Sequence, residues 1–252
     1  MASRFRKWGL IAAAVAAILV AVLVGVVLVV FYFGALPLRE GTMLGGARVV
    51  AVTEEWGPIT IGSYLIALDE GDFALVDAGM DPDAGAIRSA LKDRGAEPRD
   101  VRYIFITHAH GDHIGGIQSF PDAEVYAVEA DARAIRESSL LTPRGLADGD
   151  VVSAAGTDVE VFALPGHTPG SAAYLACGVL FLGDSAAAAY DGSISANRLF
   201  SEDSGSTRES LAALAHRLKG RANEVQQIAF GHQGPVDGLG PLLEWASARG
   251  PR

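Results

Sequence analysis

Cysteine is almost missing from this chain: Cys177 is the only one in 252 residues, so no disulfide can close within it. Its setting, Ala172-Ala173-Tyr174-Leu175-Ala176-Cys177, is an apolar strand-like run in which a lone thiol reads as a small buried core residue. Basic charge is also scarce. Lys and Arg number 20 against 30 Asp and Glu, and Arg4, Arg6 and Lys7 lie ahead of everything else. With those three set aside, 17 basic residues face 30 acidic ones, a net charge of about −13. Nucleic-acid partners call for a basic surface, so a nuclease role is disfavoured and no nucleic-acid partner is expected.

The third absence is local. No charged residue occurs from Trp8 to Leu38, and Gly9 to Phe33 is almost wholly Leu, Ile, Val, Ala and aromatic. Spanning a bilayer takes about 20 apolar residues. A cleaved signal peptide has a shorter apolar region, about 7 to 15 residues. This run is too long for that, so the expectation is an uncleaved transmembrane helix. Basic residues flank its amino end and only Arg39 follows closely, which by the positive-inside rule puts the amino terminus in the cytoplasm and the rest outside it. Residues 1–36 thus read as a cytoplasmic stub with a membrane anchor, and 37–252 as one domain without low-complexity sequence.

Histidine is the residue that is present with a pattern. Three of the six lie in one hexapeptide, His108-Ala109-His110-Gly111-Asp112-His113, directly after the β-branched and aromatic run Tyr103-Ile104-Phe105-Ile106-Thr107. The ligand-type residues therefore sit on a loop at the carboxyl end of a buried strand. Such a concentration of polar groups beside a buried strand is costly unless something pairs them. Neutral imidazole and carboxylate suit zinc and similar divalent ions, and a catalytic site draws ligands from several segments. Three further segments repeat the context of an apolar run ending in a glycine-bearing turn: Gly166-His167-Thr168-Pro169-Gly170, Leu182-Gly183-Asp184 and Gly231-His232-Gln233-Gly234. The candidate metal ligands are His108, His110, Asp112, His113, His167, Asp184 and His232. His216, inside the amphipathic pattern Ser210–Leu218, reads as a helix-surface residue. Ser171 and Ser185 lie near these motifs, but neither stands in a G-x-S-x-G elbow, so a serine nucleophile is disfavoured.

The hexapeptide, followed in order by the GHTPG histidine, the GD aspartate and the late GH histidine, resembles the metallo-β-lactamase superfamily over about Val49 to Val236. The resemblance implies a four-layer αββα sandwich of α+β class, here preceded by one amino-terminal transmembrane helix. It implies two divalent metal ions, zinc by donor chemistry: His108, His110 and His167 on one, Asp112, His113 and His232 on the other, Asp184 bridging. It further implies a hydrolase acting on a small molecule through a metal-bridged hydroxide, with Asp112 orienting the attack. Asp77, in Leu75-Val76-Asp77-Ala78-Gly79, fits either a turn-forming aspartate or a residue that orients a ligand. Departures narrow the substrate. Where Asp184 stands, zinc β-lactamases of the superfamily carry cysteine or serine; where His110 stands, its diiron redox branch carries glutamate. Only 20 residues follow His232, so the helical glutathione-binding domain of glyoxalase II is not expected. An ester, thioester or lactone hydrolase remains, with a β-lactam hydrolase, a mono-iron persulfide-dioxygenase-like enzyme and a membrane-anchored binding protein as rivals.

Apolar runs predict strands over 48–53, 60–68, 73–77, 103–107, 124–128, 159–164, 172–177, 179–182 and 227–230, alternating with helical stretches. Helices are expected over 82–94, 113–119, 129–137 and 207–219, the first opened by Asp81-Pro82-Asp83 as a cap.

Overall fold

The structure is a computed structural model that describes residues 15–20, 22, 34–138 and 142–248. From Leu36 onward the chain forms one compact unit built on two sheets. The first sheet takes its seven strands in chain order: β1 (Met43–Leu44), β2 (Val49–Trp56), β3 (Ile59–Ala67), β4 (Phe73–Val76), β5 (Val101–Phe105), β6 (Glu124–Val128) and β7 (Arg144–Leu146). Neighbours are antiparallel up to β4 and parallel from β4 to β7. In the second sheet β8 (Val151–Ala154), β9 (Thr157–Ala163), β10 (Ala172–Ala176) and β11 (Val179–Phe181) run antiparallel. A separate hairpin pairs β12 (Ala186–Ala188) with β13 (Ile194–Ala196). Strand β14 (Gln227–Ala229) joins β11 in parallel and β15 (Val236–Asp237) closes the edge of the second sheet.

Strand side chains alternate between faces, and here both faces are covered, so the strands read as continuous apolar runs. From β2 and β3, Val49, Ala51, Tyr64 and Ile66 point inward against Val159, Val161, Tyr174 and Phe181 of the second sheet. Their neighbours Val50, Val52 and Leu65 point outward under Ile87 and Leu91 of α1 (Gly85–Lys92) and Ala132 and Ile135 of α3 (Glu129–Ser138). On the far side, Phe162, Ala173 and Leu175 meet Leu211, Leu214 and Leu218 of α4 (Ser204–Leu218) and Leu242 and Trp245 of α5 (Gly240–Ser247). The layers are therefore α, β, β, α, as expected.

Several expectations are corrected. Helix α1 starts at Gly85 rather than Pro82: Asp81 accepts hydrogen bonds from the amides of Asp83 (3.0 Å) and Gly85 (2.9 Å), closing a turn, and Ala84 is left-handed at φ 48°. The helix expected over 113–119 is the single turn α2 (Gly111–Ile114), followed by a separate 3₁₀ turn at Ile117–Ser119. The amides of Gly115 and Gly116 leave the helical pattern to bond the carbonyls of Gly79 (2.8 Å) and Ala78 (3.1 Å). Cys177 is not a core strand residue. It is half-buried in the β10–β11 turn at φ 52°, next to Gly178 at φ 76°, the two positive values of a tight hairpin turn. Most of the expected transmembrane span, Gly9 to Phe33, lies outside the described residues; residues 15–20 and 22 are helical with exposed side chains. Among the described residues no helix is long and apolar enough to cross a membrane.

Candidate metal centre

Five polar turns meet at one edge of the two sheets, each leaving the carboxyl end of a strand. Asp77 follows β4, His108 to His113 follow β5, His167 follows β9, Asp184 follows β11 and His232 follows β14. All seven candidate ligands come together, while His216 lies elsewhere, on the exposed face of α4. His108, His110 and His167 form one trio and Asp112, His113 and His232 another, and the donor atoms within each lie within 4.8 Å of one another. His167 Nε2 and His110 Nδ1 are 3.0 Å apart. Two nitrogens about 2.0–2.1 Å from one tetrahedral zinc ion would stand about 3.3 Å apart, close to that spacing. Asp184 lies between the trios, its Oδ2 3.7 Å from His167 Nε2 and 3.1 Å from His232 Nε2.

Glycine makes this convergence possible at two positions. Gly231 has no room for a side chain, because a Cβ there would collide with Asp184 Oδ1 and the His113 ring. Gly183, at φ 51°, turns the chain against Thr107, whose Oγ1 a Cβ would reach at 2.5 Å.

The outward ring nitrogens fix which way each imidazole faces. Asp77 accepts from Thr107 N (2.8 Å), Thr107 Oγ1 (2.7 Å) and His113 Nδ1 (2.7 Å). Because the Thr107 hydroxyl gives its only proton to Asp77, its 3.0 Å contact with His108 Nδ1 requires that nitrogen to donate. His232 Nδ1 donates to the Thr60 carbonyl at 2.9 Å. Nε2 of His108, His113 and His232 is thereby turned into the centre. Asp77 thus orients ligand-type residues, which decides between the two readings of that aspartate.

His108 is 1% exposed and His113 is fully buried, and the Nε2 of each has no hydrogen-bond partner among the described residues, nor has His167 Nδ1. A buried polar atom left unpaired costs about 1–3 kcal/mol, and a divalent ion would supply the missing partner for the Nε2 atoms. Donor set and orphaned nitrogens both fit a metal of the zinc class. The charges agree. Burial, reinforced by the neighbouring His113, holds the His108 imidazole far below its ordinary range, and burial lowers His167 to about 4. For His113, burial opposes protonation, but Asp77 and Asp184 outweigh it and push the pKa up to about 9. The Asp184 carboxyl is held well below the usual range because His232 and His113 overcome the opposing effect of burial. His232 is raised, burial being outweighed by Asp184.

Sequence reasoning missed Asp131. It is 3% exposed, and it accepts from Ala109 N (2.8 Å), Thr168 Oγ1 (2.6 Å) and Gly170 N (2.7 Å). The signal was available: Asp131 shares the face of α3 that carries buried Ala132 and Ile135, an acid on an apolar stripe. Thr60, which orients His232, carried no comparable signal because only its carbonyl is used.

Residues 56–225 match the family model of the metallo-beta-lactamase superfamily. A hydroxyacylglutathione hydrolase of Citrobacter koseri is 33% identical over 126 residues, which is 48% of this chain and 45% of that protein. One from Xanthomonas campestris pv. campestris is 35% identical over 128 residues, 48% of this chain and 46% of that protein. The matched part thus spans about half the length of these curated relatives. Among solved structures, a metallo-beta-lactamase family protein from Thermus thermophilus aligns at a TM-score of 0.57, with 22% identity over 80% of this chain and 78% of that one. A B3 metallo-beta-lactamase with an active-site glutamic acid aligns at 0.60, with 20% identity over 86% and 89%. At these identities the structural likeness speaks for the fold alone.

Proposed function

The chain belongs to the metallo-β-lactamase superfamily, and from that premise we propose that it is a membrane-anchored, dinuclear zinc hydrolase of a small ester, thioester or lactone. The observation that carries the reading is the inward-facing, unpartnered Nε2 of buried His108 and His113 within two adjoining trios of donors. His108, His110 and His167 would hold one ion; Asp112, His113 and His232 would hold the other; Asp184, within 3.7 Å of both His167 and His232, would bridge. Two divalent ions held there would polarise a substrate carbonyl and bring the pKa of a coordinated water near neutrality.

The chain's own residues do the rest. Asp77, through Thr107 and directly to His113, holds the Nδ1 side of His108 and His113 and so aims each Nε2 inward. Thr60 does the same for His232. Asp112 has a side chain 30% exposed and is the candidate to accept a hydrogen bond from the attacking water and turn it toward the carbonyl. Of the three acyl classes, thioesters have the added support of relatives named for hydrolysis of hydroxyacylglutathione, which is a thioester. The anchor rests on the uncharged run from Trp8 to Leu38 behind Arg4, Arg6 and Lys7.

The test is a hydrolysis panel on zinc-loaded full-length protein. Thioesters, lactones or activated esters should turn over at least about tenfold faster than bis-nitrophenyl phosphate, penicillins should be slow, and a chelator should abolish every activity. Dominant phosphodiester cleavage would overturn the acyl-hydrolase reading, and efficient penicillin cleavage would make a β-lactamase of it.

A further inference from the structure

Asp131 lies on α3, outside the candidate ligand set, yet its partners are not scattered. Ala109 is the residue between His108 and His110, while Thr168 and Gly170 flank His167 on its carboxyl side. One carboxylate therefore joins the loop that carries two members of the first trio to the loop that carries the third. Thr168 N is in turn held by Ser171 Oγ at 2.8 Å, and Gly170 packs so closely on Asp131 that a Cβ there would collide with its backbone nitrogen. None of the atoms it bonds belongs to the loops of His232 or Asp184. The other buried carboxylate, Asp77, bonds His113 of the second trio directly and reaches His108 of the first through Thr107, so it serves both sites where Asp131 serves one.

From this division of labour we infer that Asp131 is the positioning residue of the His108–His110–His167 trio, setting the spacing of its three imidazoles and so the affinity of that site for its metal, independently of the second site. The inference rests on the metal-binding reading above. Asp131→Asn tests it sharply. The amide keeps one acceptor oxygen for Gly170 N but turns an NH₂ toward the Ala109 amide, two donors facing each other where a bond had been. The volume is unchanged, so packing is preserved. Removal of a group that orients metal ligands lowers metal affinity by about 10- to 100-fold.

The experiment measures Zn²⁺ affinity of the metal-free full-length chain against a competing chelator, in two backgrounds that isolate the sites. With His232→Ala, which leaves the first trio intact, Asp131→Asn should weaken zinc binding by about 10- to 100-fold. With His167→Ala, which leaves the second trio, it should change affinity by no more than about twofold, whereas Asp77→Asn, which reaches His113 directly and His108 through Thr107, should weaken binding in both backgrounds. Equal losses in both backgrounds would reduce Asp131 to general scaffolding, and no loss in the His232→Ala background would remove its role; either overturns the inference. Should Asp131→Asn not fold, Thr168→Val, which takes away one of the three donors at near-constant volume, is measured in the same backgrounds with the same selectivity expected at smaller size. Zinc failing to bind the otherwise unaltered chain would instead defeat the metal reading itself.

Discussion

Asp77 and His113 form the most tightly coupled pair in the centre, 2.7 Å apart and both almost wholly buried. A His113 pKa of about 9 in the folded, metal-free protein, against an ordinary 6.5, has a definite sign. The imidazolium favours the folded state at full strength below pH 6.5, and that contribution fades as pH rises through about 9. His232 is also raised and acts in the same direction. The lowered His108 and His167 exert their effect below 6.5, where protonation favours the unfolded chain, so the window above 6.5 isolates the raised pair. Metal-free protein should therefore lose thermal stability between pH 6.5 and 9, a fall that saturating zinc removes. Asp77→Asn should flatten the fall, because without that carboxylate burial drives the His113 imidazole to its neutral form, and should lower stability at pH 6.5 by about 1–3 kcal/mol through the lost bonds to Thr107 and His113. A stability that climbs over that window would contradict the pairing. His216→Ala, on an exposed face, should change neither metal content nor stability.

At the scale of elements, the turns that carry the ligands were legible because each coupled an apolar run to a glycine and a histidine or aspartate, and long strands such as β3 and β5 were legible from their β-branched and aromatic runs. What escaped was short or stabilised from elsewhere. Strands β8, β12, β13 and β15 have two to four residues, too few to establish a period, and are defined by their partners. Helix α5 opens on Gly240-Pro241, a pair that reads as a turn although proline suits the first helical position, and it is held by Leu242 and Trp245 against α4. Helix α2 ends early because Gly115 and Gly116 give their amides to a neighbouring loop, a tertiary cause that the glycine pair permits but does not specify. Asp131 escaped because an acid on a helix ordinarily belongs to a solvated face. Two substitutions separate the layers from the site. Leu214→Ala in α4, 1% exposed, should cost about 2–5 kcal/mol in unfolding free energy with metal affinity unchanged. Gly231→Ala should do the reverse, costing about 1–3 kcal/mol while pushing on Asp184 and His113 and lowering metal occupancy. Equal metal affinity in Gly231→Ala and the unaltered chain would show that the β14 turn has slack the geometry does not suggest.

For the whole molecule, charge and topology make separate claims. An acidic body of about −13 repels polyanions at low salt, which agrees with a small acyl substrate rather than nucleic acid. The proposed anchor places that body outside the cytoplasmic membrane, so protease added to intact cells should digest it, and protection of the body would refute the orientation. Neither claim bears on the centre itself, where the proposal is that seven side chains from four segments hold two ions. The direct measurement is elemental analysis of the full-length protein after zinc loading and exhaustive dialysis, alongside Asp184→Ala. The account predicts close to two zinc ions per chain, falling toward one in Asp184→Ala as the bridge is lost. One ion per chain in both proteins, or two in both with hydrolysis undiminished, would contradict it.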